Sequence, residues 1–196
     1  MIDDLGLLTA RLTLGLSYAA HGAQKAFGWF EGPGPEGAAG FMASVGLKPG
    51  ETYATAASYN ELASGLMIAL GFGGPLGPAG VISTMIVAAE TVHKPNGFFA
   101  GKGGVEVNVL YSAGALALAS AGYGVLSVDA VLGLDEKLHH PVITTLALAG
   151  GIAAAYLILG RRDTSPPDGT LAEPTMPGNR EHNGAATGSA PSPAAS

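Results

Sequence analysis

The chain has 196 residues, room for a single domain. Only 12% of them are charged and 47% are hydrophobic, whereas soluble domains carry charge on about 25% of positions, so the sequence lacks the charge to coat a water-facing surface. A net charge of −6 without a compact Lys/Arg run excludes a nucleic-acid surface, and the lack of Cys excludes disulfides, thiolate metal sites and a thiol relay within the chain.

In chain order, Met1-Ile2-Asp3-Asp4 lacks the basic start of a secretory signal, and Arg11 interrupts the first apolar stretch, which predicts a retained helix. Five apolar stretches of near-bilayer length follow from the hydropathy pattern: roughly residues 5–27, 54–73, 76–93, 105–123 and 141–159. An Ala/Gly-rich soluble helical protein is the alternative that these lengths disfavour. Gly32-Pro33-Gly34-Pro35, Gly73-Gly74-Pro75, Pro95-Asn96-Gly97 and Pro141 punctuate them as turns or helix ends, and short connections imply antiparallel neighbours. Small residues four apart, as in Gly15/Ala19, Ala115/Ala119 and Gly151/Ala155, fit close helix crossings. The fold class expected is therefore all-α: a transmembrane helical bundle over residues 1–160, with a four-helix core and a fifth span. Residues 161–196, rich in Pro, Gly and Ser, read as a disordered tail that cannot bury enough surface to offset ordering entropy.

Ionisable groups are costly in hydrocarbon and mark a site, a pathway or a structural pair. The first span carries Arg11, Tyr18, His21, Gln24 and Lys25 as one polar stripe. The second opens with Tyr59, Asn60 and Glu61, the third closes with Glu90 and His93, and the fourth opens with Glu106 and Asn108. In an up-and-down bundle these positions share one end, so Lys25, His21, Glu61, Glu90, His93 and Glu106 are expected to form a mutually neutralising network, with Arg11 reaching Glu61 across the core. The structural alternative is an interfacial placement of Lys25, His93, Lys94 and Glu106, with Arg11 and Glu61 fixing helix register. Two histidines and three carboxylates are a metal-type donor set, but no tight His-x-x-His spacing supports one, and no metal is expected. Tyr59 and Trp29 read as interfacial aromatics. No nucleophile motif, phosphate loop or dinucleotide fingerprint occurs.

Five short motifs occur in order. His21-Gly22-Ala23-Gln24-Lys25 follows the in-helix Arg11; Glu61 is followed by Gly65 and Gly71; then come Asn96-Gly97-Phe98-Phe99, Gly104-x-Glu106-x-Asn108 and Gly124-x-x-Ser127-x-Asp129. Together they resemble the DoxX family of small bacterial membrane proteins. Val107 stands where the family commonly has an aromatic, and the fifth span extends past its usual four-helix core. The resemblance implies a membrane subunit or anchor for an oxidoreductase system, since the family is named after a subunit linked to quinone-dependent thiosulfate oxidation.

These readings converge on a multi-pass protein of the bacterial plasma membrane whose ten candidate site residues are Arg11, His21, Gln24, Lys25, Asn60, Glu61, Glu90, His93, Glu106 and Asn108. Quinone is the cofactor considered. The lipid bilayer, a soluble oxidoreductase and a second copy of the chain are the partners considered, with nucleic acid excluded. Whether the chain is itself an enzyme stays open. The rival function is a small transporter or proton pathway using the same charges. Placing Lys48, Lys94, Lys102, Arg161 and Arg162 on one side favours five spans with a cytoplasmic C-terminus.

Overall fold

Asp3 and Asp4 sit in the first turn of α1 (Ile2–Phe27) and Lys25 in its last, which matches charge to the helix dipole at both ends. Gly28 then adopts a left-handed conformation, φ 71°, and stops the helix. The structure, a computed structural model, describes residues 2–165; from residue 166 on, the expected disordered tail lies outside the described residues.

The Gly-Pro-Gly-Pro run expected as a turn opens a further helix, α2 (Gly34–Ser44). Pro in a first helical turn gives up no hydrogen bond and its φ is already helical, so a breaker signal and a helix-start signal look alike in sequence. Helix α3 (Gly50–Leu70) begins four residues before the apolar stretch that predicted it and ends at Gly71, φ 67°, whose N–H bonds the Ile68 carbonyl. Helix α4 (Leu76–Ala88) runs into a π turn over Ala89–His93 and a 3-10 turn over Lys94–Asn96. Then follow α5 (Glu106–Ala121), the short α6 (Val128–Val131) and α7 (Asp135–Leu138), and α8 (Pro141–Leu159). The described residues are helices, turns and connections, and the chain is all-α.

Helices α1 and α3 form the closest pair, through backbone contact that only small residues permit. A Cβ on Gly15 would strike the backbone of Ala69, one on Gly22 that of Leu62, and one on Gly65 that of Ala19. The Gly15/Ala19 spacing read from sequence thus lies on a real seam, where lipid gives helices little hydrophobic reason to associate and close packing supplies the attraction. Helix α4 packs on α3, α5 and α8, and Gly151 of α8 lies against the Ala79 carbonyl. The core joins Tyr18, Ile68, Val81, Ala115, Leu118 and Tyr123. Among the described residues α8 is the one helix long and apolar enough to cross a membrane. Only 6% of its apolar window is buried, so most of its side chains face outward and one narrow strip, with Gly151 and Ala155, faces the bundle. Helices α4 and α5, at 13 and 16 residues, are shorter than the expected spans.

Candidate functional site

Antiparallel packing of α1 on α3 puts Lys25, in the last turn of α1, within reach of Glu61, more than two turns into α3. The ammonium bonds both carboxylate oxygens, at 2.5 and 2.6 Å. Glu61 is 2% exposed, while the Lys25 side chain retains 30% exposure, so the pair has a dry side and an open side. A buried carboxylate survives in such a place only if its charge is matched; the bidentate ammonium does this. One residue earlier on α3, the Asn60 amide points instead to α4, donating to the Gly80 carbonyl (3.0 Å) and to the Thr84 hydroxyl (2.7 Å).

The open side of Lys25 belongs to a cleft of about 610 Å³ between the end of α1, α2 and the first half of α3. Its walls are Lys25, Ala26, Pro35, Glu36, Ala39, Glu51, Ala54, Thr55, Ser58 and Tyr59. Sequence reasoning reached only Lys25 and Tyr59 of these, the latter as an interfacial aromatic. Glu36 and Ala39 lie on α2, whose Gly32-Pro33-Gly34-Pro35 opening reads in sequence as a turn or helix end; Pro in a first helical turn is the signal that could have found it. Phe27 stacks on Trp29 at 5.2 Å and meets Tyr59 edge-on at 6.4 Å, forming an aromatic rim next to the cleft.

The remaining candidates do not join one network. Glu90 is exposed and takes its own helical neighbour, with Lys94 Nζ at 2.9 and 3.0 Å, because residues four apart on a helix meet more readily than residues on different helices. The His93 ring bonds the Gly103 carbonyl at 2.7 Å, and Glu106 accepts the Ala100 N–H at 2.8 Å, so both fix the loop between α4 and α5. Asn108 is buried and donates to the Met85 carbonyl at 3.3 Å. Gln24 reaches the Phe30 carbonyl at 3.4 Å. His21 is exposed, its ring edge-on to Tyr111 with centroids 6.3 Å apart. The expected mutual neutralisation therefore reduces to the Lys25–Glu61 pair, with local partners capturing the other charges.

Arg11 corrects the sequence expectation most clearly. It is 1% exposed and does not reach Glu61; its guanidinium donates to the carbonyls of Tyr123 (2.8 Å) and Leu126 (2.7 Å) at the other end of the bundle. There the fully buried Asp129 accepts the N–H groups of Gly73 (3.0 Å) and Gly74 (2.7 Å), and the Tyr123 hydroxyl donates to the Gly74 carbonyl at 2.7 Å. A Cβ on Gly71 would collide with the Arg11 guanidinium and the Ser127 side chain, so the chain is closely packed at this point. These hydrogen bonds tie the α3–α4 turn to the loop after α5.

Residues 6–94 match the family model DoxX. No curated protein and no solved structure matches the chain in the corresponding comparisons. The matched stretch runs from α1 through the π turn and holds Arg11, Lys25, Glu61 and every wall of the cleft, while the motifs read between Asn96 and Asp129 lie beyond it. Over this stretch the chain is similar to the DoxX family, a family of membrane proteins.

Proposed function

We propose that the chain is a multi-pass membrane subunit whose cleft receives the head group of a lipid-soluble quinone on behalf of an oxidoreductase partner. The observation that carries this reading is the Lys25 ammonium on the cleft wall with Glu61 buried behind it. A volume near 610 Å³ falls within the range of about 300–1,000 Å³ common for small-molecule sites. Two N–H bonds of Lys25 are spent on Glu61, and the third is free to meet a carbonyl oxygen of the ring. Reduction to the hydroquinone takes two electrons, supplied by the partner, and two protons. Lys25 steadies the oxygen as it gains charge and passes its proton to it, and water entering the open cleft returns a proton to the Lys25–Glu61 pair and supplies the second. With no Cys in the chain, its own thiols cannot supply the electrons.

In this reading α1, α3, α4, α5 and α8 cross the bilayer, and the cleft lies on the cytoplasmic side. Support for the side comes from charge: Lys48 and Arg162 lie together at the cleft end, where Lys and Arg are expected inside. A C-terminal tag open to protease on intact cells would contradict the orientation.

The test of the site is cross-linking of a photoreactive quinone analogue to the chain in nanodiscs. Labelled peptides from α2 and α3, and about tenfold weaker labelling in Lys25→Ala, are the expected result. Labelling spread over the lipid-facing helices and unchanged by Lys25→Ala, with no quinone in the lipid extract of the purified protein, would overturn it. The rival reading, a proton or solute pathway, rests on the same buried Glu61. Liposome flux unaffected by Glu61→Gln counts against that rival, whereas lost flux without quinone labelling favours it. Recovery of an oxidoreductase with the chain in mild detergent is the expected sign of the partner.

A further inference from the structure

We propose that Arg162 and Asp163, just after α8, act as a clasp that sets the opening of the cleft by fixing the joint between α2 and α3. Arg162 Nε donates to the Val45 carbonyl at 2.6 Å, and the Asp163 N–H donates to the Gly46 carbonyl at 2.8 Å. Lys48 Nζ closes the loop on the Asp163 carboxylate at 3.1 Å. The joint is shaped for this contact. Gly46 has φ 85°, which L side chains rarely adopt, and a Cβ there would strike the Asp163 carbonyl.

The position gives the clasp its effect. Residues 45–49 connect Ser44, the last residue of α2, to the start of α3 at Gly50, and all cleft walls except Lys25 and Ala26 come from these two helices. Holding the joint from the side of α8 limits how far α2 can swing away from α3. The clasp is also releasable. The side chains of its ion pair are 62% and 43% exposed, and pairs so open to water are weak and screened by salt. Two backbone-directed hydrogen bonds complete it, each worth a modest factor in an equilibrium. Such a device has two accessible positions rather than one locked one.

The inference rests on the cleft being the functional site, but its test uses no ligand and so fails or succeeds separately. Because the chain has no Cys, Ala39→Cys places a unique thiol on the α2 wall of the cleft in the full chain. Its reaction with a water-soluble maleimide in nanodiscs reads how open the cleft is. Arg162→Ala with Asp163→Pro, which removes the side-chain bond, the ion pair and the N–H given to Gly46, is expected to speed labelling about tenfold. A carbodiimide, which joins an amine directly to a neighbouring carboxylate, is expected to slow labelling more when Lys48 is present than in Lys48→Arg, which keeps the charge but cannot form the amide, since the Lys25–Glu61 pair reacts equally in both. Equal labelling with and without the clasp, or labelling undiminished after Lys48 is joined to Asp163, would overturn the proposal. Should the double variant fail to fold, the carbodiimide arm decides alone on chains that keep the wild-type Arg162 and Asp163.

Discussion

The two ends of the bundle hold comparable charges and treat them in opposite ways. At the cleft end, Lys25 and Glu61 neutralise each other, one of them half-open to a cavity. At the far end, Arg11 and Asp129 are both buried and both held by backbone groups, carbonyls for the two terminal nitrogens of the cation and N–H groups for the anion. A charge matched by a mobile side chain next to open space can exchange its partner for a ligand. A charge matched by several fixed dipoles where the chain is closely packed can only hold the chain together. The difference separates a candidate site from a structural staple without reference to residue type.

The sharpest way to break the comparison is at the pair itself. Lys25→Ala strands a carboxylate that is 2% exposed and is expected to lower stability by about 3–5 kcal/mol, whereas Glu61→Gln leaves Lys25 free to reach water and is expected to lose less. Thermal melting in one detergent measures both; equal losses would show that Lys25 is as enclosed as its partner. Next, Arg11→Ala removes two hydrogen bonds from a charged donor and is expected to cost about 3 kcal/mol, with quinone-analogue labelling of the surviving folded protein unchanged. Labelling that falls with Arg11→Ala would join the two ends functionally.

A smaller loss, about 1–3 kcal/mol, is expected for Gly65→Ala, because the α1 backbone must move away from the added methyl. Tyr123→Phe removes one hydroxyl bond to the Gly74 carbonyl, and a change of about 1 kcal/mol is expected. Last comes a pH dependence. Asp163 is held down to about 2, first by the Ser165 backbone N–H, then by the Ser165 side chain, and then by Lys48. A carboxyl depressed in the folded state stabilises above its unfolded value, 3.8, and loses that contribution as pH falls through about 2. The melting difference between the wild type and Asp163→Asn is therefore expected to be constant from neutral pH down to about 5, to shrink between about 4 and 2, and to vanish below about 2.

Much of the fold was legible because it follows from local rules. Apolar runs, Gly and Pro punctuation and end charges located the long helices, and the Gly15/Ala19 spacing marked the seam with Gly65. The site was only half legible. Polar positions on facing helices pointed to Lys25 and Glu61, but Glu90 turned to Lys94, and His93 and Glu106 turned to loop backbone. Side chains four residues apart, or one loop away, meet at lower entropic cost than those that must await helix packing.

What the sequence by itself determined is the kind of molecule: an all-helical chain too poor in charge for a soluble surface, with costly ionisable groups concentrated at helix ends. The tertiary structure alone decided which charges matter to one another. Arg11 bonds carbonyls 112 and 115 residues away, and every residue carries such a carbonyl, so no pattern in the sequence singles them out. The cleft beside Lys25 exists because α2 folds across α1 and α3, and a cavity is a property of several elements packed together rather than of any one of them.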